Sequence, residues 1–202
     1  CQGINCIYAH HEQAAAMAAL GFSKSKGLGV CVTTTGCGAT NALTGLLDSW
    51  QDSQPVLFVS GQVKKKETTF FSGLPLRSFG VQELDIIPIV KPITKKAICL
   101  GSKEEYLSCL EKIPEWLFGD RPGPVWIDIP MDIQSQELTA ADLKFLEQQS
   151  DKSSSKMIHI SEPKMSDLEK VKNALSKSEK PVFLVGNGLR LSQNGHGIDE
   201  IQ

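Results

Sequence analysis

The sequence predicts an α/β fold in which a parallel sheet is flanked by helices, and three observations carry that expectation. Helical and strand patterns alternate from residue 12 to residue 130, with short connections between most of them. Such alternation places successive strands in one parallel sheet, with helices making the crossings. The runs "VLFVS" (56–60) and "GPVWIDIP" (123–130) are largely apolar and do not alternate with polar residues, as expected of strands covered on both faces. A second α/β pattern begins near residue 165, after a polar stretch, and runs to residue 202.

The elements follow in order. Residues 12–23 are alanine-rich and helical, opening on Glu12. "GVCVTTT" (29–35) is rich in β-branched residues and reads as a buried strand. "GCGATN" is a glycine-punctuated turn, after which Leu43, Leu46, Leu47 and Trp50 recur at the spacing of an amphipathic helix. Pro55 introduces the strand 56–60, and residues 61–82, with "KKK", glycines and a proline but little periodicity, form a long loop. Tyr106, Leu107, Leu110 and Ile113 mark a helix over 103–113, followed by the strand 123–130. The chain then divides into a first domain (1–133), a linker (134–164) and the start of a Rossmann-like second domain (165–202). Within the linker lie a short amphipathic piece, 138–146, and the polar "SDKSSSK". The second domain opens with a helix bearing Leu168, Val171 and Leu175, then the strand "PVFLVG" (181–186), the turn "GNG" and the helix-like opening "HGIDEIQ". With Cys1 in place of an initiator Met and a second domain that breaks off, the expectation is a fragment truncated at both ends.

Composition limits the function classes. An apolar share of 41% and a charged share of 22% belong to an ordinary globular chain, and a net charge of −2 gives no electrostatic support to nucleic-acid or membrane-surface binding. No apolar run approaches the roughly 20 residues of a membrane span. The six cysteines include no CxxC pair, and Cys31 and Cys99 lie in apolar strand-like runs. They read as thiols of a reducing, cytoplasmic compartment, neither a disulfide framework nor a metal site.

Three features carry candidate chemistry. Glu12 follows His10 and His11 at a helix mouth; Gly36, Gly38 and Asn41 follow the strand 29–35; "SGQ" (60–62) closes the strand 56–60. In an open parallel sheet ligands bind beyond the carboxyl ends of the strands, and the last two features lie at such ends. On the residues alone, Glu12 is either a partner of the helix dipole or a catalyst. The glycines are either a tight turn or a place of close backbone approach to a ligand. "GCGATN" is not a dinucleotide fingerprint, since it lacks the third glycine.

The run from "HHEQAAAMAALGF" through "TTTGCGATN" to "VSGQ" resembles the pyrimidine-binding domain of thiamine-diphosphate enzymes, and within them the acetolactate synthase (acetohydroxyacid synthase) group. The likeness continues through "VQELDIIPIVKPITK" and "RPGPVWIDIPMDIQ" and resumes at "KPVFLVGNGLRLS". It implies that Glu12 hydrogen-bonds N1′ of the aminopyrimidine ring of thiamine diphosphate and so assists deprotonation of the thiazolium. Because a helix N-terminus lowers a carboxyl pKa, the resemblance further implies burial of Glu12 beneath the ring to raise it. It implies that Gly36, Gly38 and Asn41 border the cofactor, that Gln82 lines the active site, and that Arg121 contacts FAD in the flavin-dependent members. His11 would orient the turn or border the cofactor. Mg²⁺ and the diphosphate would be held by a C-terminal domain outside this chain. The implied reaction is decarboxylation of a 2-keto acid, pyruvate first, with transfer of a two-carbon acyl anion equivalent to a carbonyl acceptor. The implied assembly is a homodimer or homotetramer.

Three positions depart from the family's pattern; the first costs the turn some rigidity, and the other two bear on substrate or acceptor. Cys37 stands where the family's turn has proline, Val81 where the synthases have Phe, and Met131 where many have lysine. The loop 64–80 is also longer than in the biosynthetic synthases. Another carboligase or decarboxylase of the superfamily, acting on an oxalyl-CoA or sulfoacetaldehyde type of substrate, is one alternative. A non-catalytic binding module of the same fold is the other.

Overall fold

The computed structural model describes residues 3–153, 163–184, 186 and 188, and the chain divides into compact units at 1–157 and 158–202. In the first unit, α1 (Glu12–Lys26) leads into β1 (Gly29–Thr33). The short α2 (Cys37–Asn41) and α3 (Leu43–Gln51) then cross to β2 (Val56–Gln62). Next come α4 (Thr69–Ser72), α5 (Ile87–Val90), β3 (Lys96–Cys99), α6 (Lys103–Phe118) and β4 (Val125–Pro130). Two further helices, α7 (Met131–Gln134) and α8 (Ala140–Ser153), complete the unit, and α9 (Met165–Lys177) lies in the second unit. The four strands form one sheet in the order β1-β2-β4-β3, and every pairing is parallel. No described helix is long and apolar enough to cross a membrane.

Strand periodicity divides the core in two. Along β4, Trp126 faces one way, joining Phe58, Val56, Leu46, Ala16 and Ile86. Val125 and Ile127 face the other way, joining Leu100, Cys109 and Leu117 beneath α6. Successive strand residues point to opposite faces, so the apolar run of β4 is filled from both sides. Phe58 and Trp126, neighbours across the β2–β4 pairing, stack with ring centroids 5.3 Å apart and planes 3° from parallel.

Helix α1 begins at its cap, His11, whose Nδ1 accepts the Gln13 N–H at 3.1 Å, and ends at Gly27 with φ 92°. Only glycine adopts that left-handed turn without strain, and the Gly27 N–H donates to the Ser23 carbonyl at 2.8 Å. Against α1 packs α3, so closely that a Cβ on Gly45 would lie 2.6 Å from Ala16 Cβ.

Several expectations shift. The strand 29–35 is not buried on both faces: Cys31 and Thr33 point inward, but Val30 and Val32 are 53% and 70% exposed. β1 is an edge of the sheet, and α6 packs against the β4 side instead. The helix after the glycine turn breaks at Ala42, and its buried face is Gly45, Leu46 and Ser49, leaving Leu47 and Trp50 partly exposed. Helix α6 runs past Pro114 to Phe118, where Leu117 is buried in the second core cluster. The expected loop 61–82 holds a 3₁₀ turn (Lys65–Glu67) and α4, capped by Thr68, whose hydroxyl accepts the Phe71 N–H. Helix α8 occupies much of the segment read as linker. Its start is a reciprocal cap in which the Thr139 N–H donates to Asp142 and the Asp142 N–H to Thr139. In the second unit α9 matches the expected helix, but 181–184 are exposed and in no strand, because no described strand pairs with them. Asn187 of "GNG" and all of "HGIDEIQ" lie outside the described residues.

Two glycines test the packing with opposite signs. Gly21 lies inside α1, and a methyl group on its α-carbon would meet nothing within 4 Å, whereas Gly45 has no room for one. Gly21→Ala should raise stability by about 0.5–1 kcal/mol through helix propensity alone. Gly45→Ala should lower the melting temperature despite the same propensity gain, both read by thermal unfolding.

Candidate functional site

Glu12, Gly36, Gly38, Asn41 and Gln82 meet at the carboxyl end of the sheet. Glu12, the first residue of α1, is half-buried, and its Oε2 accepts the Asn41 side-chain N–H at 3.0 Å. Asn41 closes α2, which begins at the glycine turn. A Cβ on Gly38 would stand 2.6 Å from Thr34 Cγ2 and 3.3 Å from Glu12 Oε1, so the missing side chain keeps the carboxylate's flank open. Gly36 has φ 56° and ψ −108°, and a Cβ there would lie 2.0 Å from the Gln82 carbonyl oxygen. Glycine is required twice over, by conformation and by contact. Cys37 occupies the first position of α2, where a proline's fixed φ is well suited, which is why either residue serves the turn.

Gln82 is exposed and holds φ at 59°, an uncommon conformation for a residue with a side chain. It is held from its C-terminal side by Glu83, which is 8% exposed. Glu83 accepts the Thr69 N–H and hydroxyl at 3.0 and 2.8 Å, and the Phe79 N–H at 3.0 Å. Burial alone would push its pKa up, but these hydrogen bonds outweigh it and hold the carboxyl below the usual range. The long loop is thereby closed on itself beside Gln82.

Electrostatically, Glu12 departs from the expectation. The Asn41 hydrogen bond, then its own backbone N–H, hold its pKa below the ordinary value. The resemblance implied a raised pKa; here the hydrogen-bond donors outweigh the small upward push of burial and favour the charged form. Beneath it, burial first and the Glu12 charge second push the Cys31 thiol up to about 11, so it stays protonated. His10 is exposed, while His11 serves as the helix cap.

Arg121 is not part of this cluster. It precedes β4, at the amino end of the sheet, where its Nε donates to Ser53 Oγ at 2.6 Å. Met131, by contrast, opens α7 at the carboxyl end and is half-exposed. Among the described residues no group of three His, Cys, Asp or Glu side chains could hold a metal ion.

One residue of the site is not legible in the sequence. Asp128, in β4, is 1% exposed. Ser60 Oγ donates to its Oδ1 at 2.6 Å, Gln62 Nε2 to its Oδ2 at 3.0 Å, and Trp126 Nε1 donates to Ser60 Oγ at 2.9 Å. Its one sequence signal is a carboxylate inside an otherwise apolar strand, "VWIDIP". Burial pushes its pKa up to about 6, against the downward pull of the Ser60, Gln62 and Cys99 hydrogen bonds; the nearby Asp85 charge adds to the rise.

Residues 1–89, which contain Glu12, Gly36, Gly38, Asn41 and Gln82, match the family described as "Thiamine pyrophosphate enzyme, N-terminal TPP binding domain". The acetolactate synthase isozyme 2 large subunit of Escherichia coli (strain K12) is 34% identical over 194 residues, 95% of this chain and 32% of the relative. The first 89 residues are thus similar to a thiamine pyrophosphate enzyme N-terminal domain, and nearly the whole chain is similar to acetolactate synthase large subunits. A probable acetolactate synthase large subunit of Methanocaldococcus jannaschii is 35% identical over 187 residues, covering 92% of the chain and 30% of the relative. The chloroplastic acetolactate synthase of Arabidopsis thaliana is 33% identical over 190 residues, 92% of the chain and 26% of the relative. The chain therefore spans about a third or less of the length of the curated relatives it matches.

Asp128 also sets a pH dependence. Its folded pKa of about 6 lies above the ordinary 3.8, so its contribution favours folding below about pH 4 and is lost as pH rises through 6. The change amounts to about 3 kcal/mol at about 1.4 kcal/mol per pKa unit. Melting temperatures of wild type and Asp128→Asn, compared from pH 4 to pH 7, should shift against the wild type as pH rises. A difference that stays flat would mean that Asp128 titrates as an ordinary carboxyl.

Proposed function

We propose that the full-length protein containing this chain uses thiamine diphosphate to decarboxylate a 2-keto acid, pyruvate first, and to transfer the two-carbon acyl anion equivalent to a carbonyl acceptor. The observation that carries this reading is the Glu12–Asn41 pair facing an open glycine turn, inside the segment that matches the thiamine pyrophosphate enzyme domain. The names of the relatives, acetolactate synthases, support the same reaction.

The residues present fit the pyrimidine end of such a cofactor. Asn41 orients the Glu12 carboxylate, the bare α-carbon of Gly38 keeps one oxygen's flank clear, and Gly36 brings the turn against the Gln82 backbone. When bound, thiamine diphosphate supplies the electron sink for decarboxylation. Glu12 holds or accepts a proton at its carboxylate, and a ring lying over it would exclude water and raise the pKa that Asn41 and the helix N-terminus now hold down. Gln82, exposed at the rim, faces the substrate in this reading.

In this proposal Mg²⁺ and the diphosphate are held by the C-terminal domain that the resemblance implies. An FAD contact at Arg121 would use the guanidinium N–H groups other than Nε, which is engaged with Ser53. A homodimer or homotetramer, acting in the cytoplasm, completes the proposal. Val81, largely exposed beside Gln82, and half-exposed Met131 favour a second reading in which the same chemistry serves an acceptor other than a second keto acid.

The test is Glu12→Gln in the full-length gene product supplied with thiamine diphosphate, Mg²⁺ and pyruvate. Pyruvate consumption should fall by about 10²–10⁴-fold, the range for loss of a positioned acid–base group, with the cofactor still bound. Acetolactate formed by the wild type identifies the synthase reaction. Pyruvate loss without acetolactate points to a different acceptor, and binding of the cofactor with no keto acid consumed overturns the enzymatic reading.

A further inference from the structure

We propose that Gln62 is a positioning residue that sets the spacing between the Gly36 turn and the Gln82 segment, with Asp128 fixing the direction in which its amide points. For its catalytic consequence, though not for its geometry, this rests on the thiamine-diphosphate reading.

Gln62 closes β2 and is 4% exposed. A primary amide offers two donor hydrogens and two acceptor lone pairs, and here all four are used. Its Oε1 accepts the Thr35 hydroxyl at 2.8 Å and the Val63 N–H at 3.0 Å. Its Nε2 donates to the Leu84 carbonyl at 2.9 Å and to Asp128 Oδ2 at 3.0 Å. Thr35 is covalently joined to Gly36, and Leu84 lies two residues beyond Gln82. The same two segments touch again where the Gly36 α-carbon meets the Gln82 carbonyl. One contact would leave the turn free to pivot on the segment; two contacts remove that freedom.

Oxygen and nitrogen of an amide are nearly equal in size, so shape alone does not choose its orientation. Chemistry does. The Leu84 carbonyl can only accept and the Val63 N–H can only donate. The Asp128 carboxylate accepts at Oδ2 while Ser60, itself tied to Trp126, donates to Oδ1. A flipped amide would set oxygen against two oxygens and N–H against N–H, in a buried site where unpaired polar groups cost most. The aromatic stack of Phe58 on Trp126 thus anchors, through Ser60 and Asp128, the side chain that registers the two site segments.

The test uses the full-length gene product with two variants. Thr35→Val is nearly isosteric and cuts only the arm to the turn; Gln62→Met keeps the length and removes every polar contact. Hydrogen–deuterium exchange is followed in peptides covering 36–41 and 81–84, with α6 as the distant control. Thiamine diphosphate affinity is measured with Mg²⁺ present. Both segments should exchange faster together in each variant, with α6 unchanged. The cofactor Kd should rise about five- to tenfold in Thr35→Val, the loss of about one hydrogen bond, and further in Gln62→Met. Faster exchange confined to 36–41, or spread equally into α6, overturns the proposal, and so does unchanged affinity despite coupled exchange. If Gln62→Met does not fold, Thr35→Val decides alone. Should the wild type bind no thiamine diphosphate, the functional reading fails, while the exchange result still decides the positioning role of Gln62.

Discussion

A carboxylate withdrawn from water must find hydrogen-bond donors or give up its charge, and the carboxyl end of this sheet is organised by how Asp128 meets that demand. Ser60 and Gln62, two residues apart on β2, point to the same face and reach Asp128 across the parallel pairing with β4. Their alternation is the strand period, and Trp126, two residues before Asp128, completes the chain by donating to Ser60. Because each donor is itself committed, the network is stiff, and what hangs from it is positioned: Thr35 and the glycine turn on one side, Leu84 and Gln82 on the other. Such networks specify a geometry more than they stabilise a fold.

Close backbone approach is the second theme. Gly29 against the Ala19 carbonyl, Gly45 against Ala16, and Gly36 against the Gln82 carbonyl each mark a place where even a methyl group would clash. The first two draw α1 onto β1 and α3, bringing Glu12 within hydrogen-bond reach of Asn41. The third closes the rim. The alanine-rich character of α1 follows from the same geometry: Ala16 and Ala19 are buried where a larger side chain would hold the neighbouring elements apart.

The state of Glu12 depends on what covers it. Uncovered, it is an ionised group pinned by Asn41 at a helix N-terminus. Its place in a segment that matches the thiamine pyrophosphate enzyme N-terminal domain gives that open flank a meaning that burial and hydrogen bonding alone would not supply. At the opposite end of the sheet, the Arg121–Ser53 hydrogen bond ties the connection into β4 to that into β2, and Lys95, just before β3, donates from Nζ to the Gly119 and Arg121 carbonyls. That end reads as structural bracing.

What the sequence by itself determined was local or periodic: the parallel α/β class, the strands at 56–60 and 123–130, the helix mouth at Glu12, and the glycine turn. These follow from hydrophobic period and glycine chemistry, which act over a few residues. The tertiary structure alone decided which apolar strand face is open, as at Val30 and Val32, because an edge position is invisible in a run of β-branched residues. It also decided that a long loop would be closed by Glu83, and that Asp128 and Gln62 would be partners across 66 residues of chain. Hydrogen bonds between distant strands leave no periodic trace in either segment; only pairing brings their donors and acceptors together.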